Sequence, residues 1–229
     1  MSSKENPSII LETERLILRR QRASDIASLT DLWADPKVTR YMGGPRDRDW
    51  LQSVFEETAQ NPYAEQYDLW PVVEKETGQV VGHCGLLDKE VEGRTEIELN
   101  YILSPSVWGK GYATEIGQAI KQLAFEKMGV ERLIALIEPE NEASERVAVK
   151  IGMRLEKEVV RPGGALRKVY AIDVRDERKA ANMRMEPTAL SRIFVRVASL
   201  GGTPVHVGCH CASRAAAELL GVSAAPRMR

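Results

Sequence analysis

Cysteine is scarce in this chain. Three in 229 residues do not make a disulfide framework. Histidine is equally rare at three, and the cluster His206-Val207-Gly208-Cys209-His210-Cys211 matches neither a C-x-x-C pair nor a finger spacing, so no metal site is expected. An excess of one charge is missing too. Thirty-two Lys and Arg against 33 Asp and Glu leave a formal net charge of -1, which removes any bulk electrostatic reason to expect nucleic acid or a membrane surface as partner. The small basic patch of Arg19, Arg20 and Arg22 reads as a solvated surface. No apolar run approaches the roughly 20 residues that span a bilayer. The opening Met1-Ser2-Ser3-Lys4-Glu5-Asn6-Pro7 lacks the apolar segment of a secretory signal. These absences point to a soluble cytoplasmic protein.

What is present is enough to build a core. A hydrophobic content of 43% in this length suits one domain with a tail. Residues 10–20 alternate as a first strand. Ser24 and Asp25 can cap a helix running to about Ala34, with Ile26, Leu29 and Trp33 on one face, stopped at Asp35-Pro36. A short helix is expected over 37–41 and a second amphipathic one over 46–60. The period then changes to that of strands over 68–74, 79–87 and 95–103. Helical spacing returns at Ile116, Ile120 and Leu123, and again at Ala143, Val147 and Ile151. Between them lies the wholly apolar run 133–137, expected to be a strand covered on both faces. Strands over 154–160 and 166–174 flank a Pro162-Gly163-Gly164 turn. The fold class is α+β: a central mixed, mostly antiparallel sheet flanked by helices. The organisation is a short extension (1–9), a folded domain (10–174) and a C-terminal extension (175–229). That extension, rich in Ala, Gly, Ser and Arg, is expected to be poorly structured and largely disordered. Within it, 191–200 could form a strand and 212–220 a short helix, neither with an obvious core to join.

The most informative stretch is Ser104-Pro105-Ser106-Val107-Trp108-Gly109-Lys110-Gly111-Tyr112-Ala113-Thr114-Glu115, where a strand gives way to a glycine loop and then a helix. Two glycines let the main chain turn tightly and approach a ligand without Cβ interference. The first N–H groups of the following helix have no intrahelical partner and, with the helix dipole, form an anion site. The loop lacks the G-x-x-x-x-G-K-[ST] of a nucleoside triphosphate site and the G-x-G-x-x-G of a dinucleotide fold. A plain tight turn remains the competing reading of these glycines.

A second block, Asn141-Glu142-Ala143-Ser144-Glu145-Arg146-Val147-Ala148-Val149-Lys150-Ile151-Gly152-Met153, follows the apolar run. With it and the opening Thr13-Glu14-Arg15-Leu16-Ile17-Leu18-Arg19, the chain resembles the GNAT superfamily of acyl-CoA-dependent N-acetyltransferases. Within that superfamily it looks most like the branch of ribosomal-protein N-terminal acetyltransferases. The resemblance covers roughly residues 10–174 and implies the GNAT fold.

The resemblance implies acetyl-CoA as co-substrate, attacked directly by an amine. The backbone of Gly109, Lys110, Gly111, Tyr112, Ala113 and Thr114 would then bind the pyrophosphate. The main chain of Tyr101, Ile102 and Leu103 would pair with the pantetheine arm. Many relatives open the loop motif with Gln or Arg where Trp108 stands here, and packing under the loop is the expected role of that indole. Asn141 would contact pantetheine, although a plain helix cap explains it equally well. Ser144, one turn on, could meet the thioester sulfur. Many GNAT enzymes place a proton-donating Tyr seven residues after this Asn, and this chain has Ala148 there.

Glu98 is the first candidate for general base. Glu96, Glu98 and Asn100 share one strand face by the period of two, and a carboxylate on a central strand is costly unless it faces a cleft or is paired. A solvated edge position or a structural ion pair is the alternative. His83 competes for the role through its intrinsic pKa. Cys84, inside an apolar strand, is expected to be an inert thiol. The segment 43–67, with Asp47, Asp49, Glu56, Glu57 and Glu65, would wall the acceptor site and attract a cationic amine.

The expected function is therefore acetyl transfer from acetyl-CoA to a primary amine, on a protein N-terminus or a small molecule, with catalytic Glu98 and Ser144 and no metal. The protein would act as a monomer or homodimer. The alternative is a non-catalytic acyl-CoA binding or sensing module.

Overall fold

Polar residues interrupt the alternation expected across 10–20, and the chain folds back on itself there. In the computed structural model, which describes residues 8–177 and 196–197, this stretch is two short strands, β1 (Ile9–Glu12) and β2 (Leu16–Arg19), paired antiparallel. Thr13 closes the turn: its N–H donates to Leu16 O at 2.9 Å and its hydroxyl accepts from Leu16 N at 3.0 Å. Leu11, Leu16 and Leu18 are thereby buried on one side.

Helix α1 (Ile26–Ala34) buries Leu29, Leu32 and Trp33. Asp25 does not cap it. Its carboxylate is taken by Arg19, at 2.6 and 2.8 Å, and by the Arg22 N–H, at 2.8 Å. Helix α1 stops at Asp35, which is held extended before Pro36. The short helix expected over 37–41 is absent. Thr39 gathers the turn bonds instead, its carbonyl accepting from Met42 N and Gly44 N while its own N–H and hydroxyl reach back to Asp35 O. Gly43 and Gly44 have φ of 84° and 88°, left-handed values that helices exclude. Helix α2 (Arg48–Gln60) begins two residues later than expected because the Asp47 side chain caps it, accepting from Trp50 N at 2.9 Å.

The remaining strands are β3 (Leu69–Glu74), β4 (Val80–Val91), β5 (Arg94–Leu103), β6 (Arg132–Ile137), β7 (Arg154–Val160), β8 (Leu166–Asp173) and β9 (Arg196–Val197). They form one sheet in the order β7-β8-β6-β5-β4-β3-β2-β1-β9. All neighbours are antiparallel except β5 and β6, so the expected mixed, mostly antiparallel sheet is present. Helices α1 and α2 cover one face through Leu29, Trp33, Leu51 and Phe55 against Leu69, Leu87 and Ile102. Helices α3 (Tyr112–Glu126) and α4 (Glu142–Lys150) cover the other through Ile116, Ile120, Leu123, Ala148 and Ile151 against Leu86, Leu99 and Leu133.

Part of the C-terminal extension joins this fold. Residues 174–177 make a helical turn, and buried Lys121 donates at 2.7 Å to both Glu177 Oε1 and Ile151 O. Strand β9, inside the candidate strand 191–200, pairs with Leu11 and Glu12 of β1, so that segment does have a sheet edge to join. The candidate helix 212–220 and the His206–Cys211 cluster lie outside the described residues.

Close strand packing leaves no room for a side chain at Gly82 or Gly85, and Gly85 is the tighter of the two. A Cβ on Gly85 would sit 1.9 Å from Asp68 O, the carbonyl that accepts from Leu86 N. Gly85→Ala should cost at least the roughly 1–3 kcal/mol typical of overpacking. Gly78→Asn, in an open turn at φ 69°, should shift the urea midpoint far less. Equal midpoints for the two variants would contradict this packing.

Candidate active site

A parallel strand pair normally continues its ladder, yet β5 and β6 share a single register pair, Glu98 with Ile134. Beyond it the strands part. The gap opens into a cleft of about 480 Å³ lined by residues 98–103 of β5, 135–138 around the end of β6, loop residues 107–109 and 111–114, and one side of α4. The backbone edge of β5 from Leu99 to Leu103 thus faces a cavity rather than a partner strand, which leaves its polar groups in need of one.

The glycine loop closes one end of this cleft. Ser104 caps a single 3-10 turn over Pro105–Val107, and Gly109 and Gly111 adopt φ of 78° and 82°. Helix α3 starts at Tyr112 with no side-chain cap on its first N–H groups, so the anion site expected there is left open. Trp108 does not pack under the loop as expected. Its indole is 53% exposed, and Nε1 donates to Leu103 O at 2.8 Å, tying the loop to the end of β5.

A strap from the N-terminal hairpin holds the loop from behind. Arg15 donates from Nη1 to Lys110 O at 2.8 Å and from Nε to Glu115 Oε2 at 2.7 Å, with its guanidinium 4.6 Å over the Tyr112 ring. Thr13 Oγ1 and Arg15 N donate to Glu115 Oε1 at 2.5 and 3.0 Å. Burial of the Glu115 carboxyl works to raise its pKa, but these bonds outweigh it and hold the pKa below the usual range. Glu74 completes the strap, accepting from Tyr112 Oη at 2.7 Å and from Lys110 Nζ at 3.4 Å. The Lys110 carbonyl is engaged by Arg15 and its N–H donates to Val107 O at 3.4 Å, so the uncapped N–H groups at the start of α3 are the polar groups left for a ligand. This gives the opening Thr13–Arg19 block its physical purpose, for which no local pattern in the sequence gives a signal.

Glu98 sits where the strands part. Its side chain is almost fully buried; Oε1 accepts from Leu136 N at 3.4 Å, replacing a lost ladder bond, while Oε2 lies 3.9 Å from Lys89 Nζ without a hydrogen-bond partner. Burial pushes its pKa above the carboxylate range, opposed by Lys89, Leu136 N–H, Arg161 and Asn100. Burial lowers that of Lys89. Glu98 is therefore both ion-paired and cleft-facing, so the two readings of its sequence position coexist. Asn100 lines the same cleft, with Oδ1 buried and unpartnered, whereas Glu96 turns away to Arg132 at 3.1 Å.

His83 is removed from the competition. It lies buried among Trp33 and Phe55, accepts from Trp33 Nε1 at 3.1 Å, and burial drives its pKa to about 3. It does not line the cleft. Cys84 is fully buried, and burial raises its thiol pKa, consistent with an inert side chain.

On the opposite wall Asn141 caps α4, its Oδ1 accepting from Ser144 N at 3.1 Å. The Ser144 side chain lies beside the Tyr101 hydroxyl, while Ala148 is buried one turn on. Away from the glycine loop, Lys37, Val38, Tyr41 and Met42 also line the cleft. None of the residues 43–67 lines the cleft, so the acidic segment expected there is displaced. The run of turns at 36–44 delivers the preceding residues instead, and Arg46 fixes it by donating to Met42 O and Gly44 O at 2.7 and 2.8 Å. Among the described residues no three His, Cys, Asp or Glu cluster as metal ligands, and no helix is long and apolar enough to cross a membrane.

The family model of the acetyltransferase (GNAT) domain matches residues 15–154. The protein YkkB of Bacillus subtilis (strain 168) is 34% identical over 155 residues, covering 67% of this chain and 90% of that protein. An N-acetyltransferase of Bacillus licheniformis, p20, is 33% identical over 154 residues, covering 64% of this chain and 83% of its own. Among solved structures, a GNAT-family acetyltransferase from Bacillus anthracis aligns with a TM-score of 0.61 at 27% identity, over 72% of this chain and 98% of that one. The aminoglycoside acetyltransferase AAC(6')-Ib in complex with coenzyme A aligns with a TM-score of 0.59 over 72% of this chain and 99% of its own; at 17% identity this likeness shows the fold alone.

The strap is testable through ligand affinity. Arg15→Gln releases the Lys110 carbonyl, and the loss of about 1 kcal/mol should weaken coenzyme A binding about fivefold in titration calorimetry. Affinity unchanged from the parent chain would show that the loop needs no support from the hairpin.

Proposed function

Because the chain belongs to the acetyltransferase (GNAT) family, and is thereby an acyl-CoA-dependent acetyltransferase, we propose that it moves an acetyl group from acetyl-CoA to a primary amine by direct attack. The observation that carries this reading is the parted β5–β6 pair, with an open helix N-terminus at one end and, at its fork, a buried carboxylate with one oxygen that has no hydrogen-bond partner.

On this reading the N–H groups from Gly109 to Thr114 hold the pyrophosphate. The cleft-facing edge of β5 at Tyr101, Ile102 and Leu103, where the Leu103 carbonyl is already held by Trp108, receives the pantetheine amides with Asn141 opposite. Such pairing satisfies main-chain groups that would otherwise be costly to leave buried. The thioester then lies between Ser144 and the fork, within reach of an amine entering past Tyr41 and Met42. As the amine nitrogen bonds to the carbonyl carbon and the C–S bond breaks, the nitrogen's proton passes to Glu98 through water. Holding the two reactants in one cleft supplies much of the acceleration. The raised pKa of Glu98 makes it a stronger base than a solvated carboxylate.

The acceptor is a primary amine on a protein N-terminus, as in the ribosomal-protein branch, or on a small molecule. AAC(6')-Ib shows that this fold accommodates an aminoglycoside acetyltransferase. The wall of this chain's cleft is less acidic than the sequence suggested. Its carboxylates, Glu98 and Glu138, face Lys89 and Arg167, at 3.9 and 3.7 Å.

The pH profile tests the base. Glu98 works as the carboxylate, so kcat should fall as pH drops through its raised pKa, placing the acid limb above the ordinary carboxylate range. Glu98→Gln should lower kcat by about 10²–10⁴ and abolish that limb while coenzyme A affinity is retained. An acid limb that persists unchanged in the Glu98→Gln variant would place the base elsewhere.

A further inference from the structure

Successive side chains of β5 point to opposite faces, so Tyr101 stands on the side away from Glu98. Its ring packs against the main core beneath α3 and α4. Its hydroxyl is buried in the wall of the cleft beside the Ser144 side chain, and Oη has no hydrogen-bond partner of good geometry. A buried tyrosine hydroxyl ordinarily finds a partner, and one left without at a cavity wall points to an atom the cavity receives.

The other cleft tyrosines are otherwise engaged. Tyr112 donates to Glu74, and Tyr41 lies on the acceptor wall beneath the Arg40 guanidinium. Helix α4 offers only the methyl of Ala148, buried at 3% exposure. Tyr101 thus brings a hydroxyl to the α4 side of the cleft from the strand rather than the helix.

We propose that Tyr101 Oη and Ser144 Oγ together form a two-hydroxyl cradle for the sulfur of the departing thiolate. This rests on the acetyl-CoA reading above. When the C–S bond breaks, its electron pair stays on sulfur, and the two O–H groups, that of Tyr101 buried in the wall, donate to the developing anion. Such donors act where charge appears rather than in the ground state, which makes them catalytic. Burial pushes the Tyr101 phenol up to about 12, partly offset by Ser144. Tyr101 therefore keeps its proton and acts as a hydrogen-bond donor, not an acid. The amine's proton leaves through Glu98, and the thiolate takes its own from solvent as it departs, so the balance closes without a covalent enzyme intermediate.

The test is the thiol pKa of bound coenzyme A, followed through the ultraviolet absorbance of the thiolate as pH is raised. In the parent chain it should lie below that of free coenzyme A. Tyr101→Phe keeps the ring in the core and should raise it by about one unit. With acetyl-CoA and an accepted amine, the same variant should lose about tenfold or more in kcat with KM for acetyl-CoA nearly unchanged. Ser144→Ala, a smaller change on a half-buried helix turn, should shift the thiol in the same direction and gives a second reading should Tyr101→Phe fold poorly. Coenzyme A that binds both variants with the parent thiol pKa would overturn the cradle alone. Absence of coenzyme A binding to the parent chain would overturn the acetyl-CoA reading with it.

Discussion

Hydrogen bonding between β5 and β6 at one position only is the constraint on which the rest of the site depends. A strand pair that separates in the middle of a packed domain exposes main-chain N–H and C=O groups to an interior where each orphan is costly. Three devices meet that cost. Glu98 reaches across the fork to accept from Leu136 N, Trp108 donates to the carbonyl of Leu103, and the remaining edge of β5 borders an open cleft where a ligand with amides of its own can complete the ladder. The helices on both faces keep the sheet rigid on either side of the gap: β4 pairs with β5 along its full length, and β8 pairs with all of β6.

The charged groups follow from the same geometry. At the loop, cation and carboxylate are arranged so that the Arg15–Glu115 pair and the Glu74–Tyr112 bond lie behind the main chain, leaving the helix N-terminus unblocked in front. Glu115 would compete with an incoming anion if it turned inward, and its bonds to Thr13 and Arg15 hold it away. At the fork the opposite choice is made. Glu98 is buried with one oxygen on Leu136 N and the other 3.9 Å from the Lys89 ammonium without a hydrogen bond, and burial raises its proton affinity. One carboxylate is tied to stabilise the loop, and another is left incompletely satisfied where chemistry is needed.

Local signals made much of this readable in advance. Gly109 and Gly111 announced a left-handed turn before a helix, Asn141 announced a cap, and the apolar run at 133–137 announced a central strand; each depends on near neighbours in the chain. Glu98 was found from the period of its strand, yet its partner Lys89 comes from the register of β4 against β5, which no local pattern reveals. The strap joins residues about a hundred positions apart, and without the tertiary fold Arg15 is one arginine among many. The stretch 36–44 misled because helix propensity at 37–41 yields to the Asp35-Pro36 stop and the turn bonds gathered by Thr39. His83 looked catalytic only while its burial was unknown. The pairing of β9 with β1 likewise depends on an open sheet edge, a property of the fold rather than of residues 191–200.

Thermal denaturation of the purified chain with acetyl-CoA, coenzyme A and ATP in parallel tests the parted strands and open loop most directly. A ligand present at about one hundred times its dissociation constant adds roughly 2.7 kcal/mol to stability, a rise of several degrees in Tm for a domain of this size. The cleft between β5 and β6 predicts that rise with both coenzyme A species and not with ATP, because only the former carry amides to pair with β5. Equal shifts with ATP would mean that the loop binds phosphate alone, and no shift with either coenzyme A species would contradict the cofactor site and the function built on it.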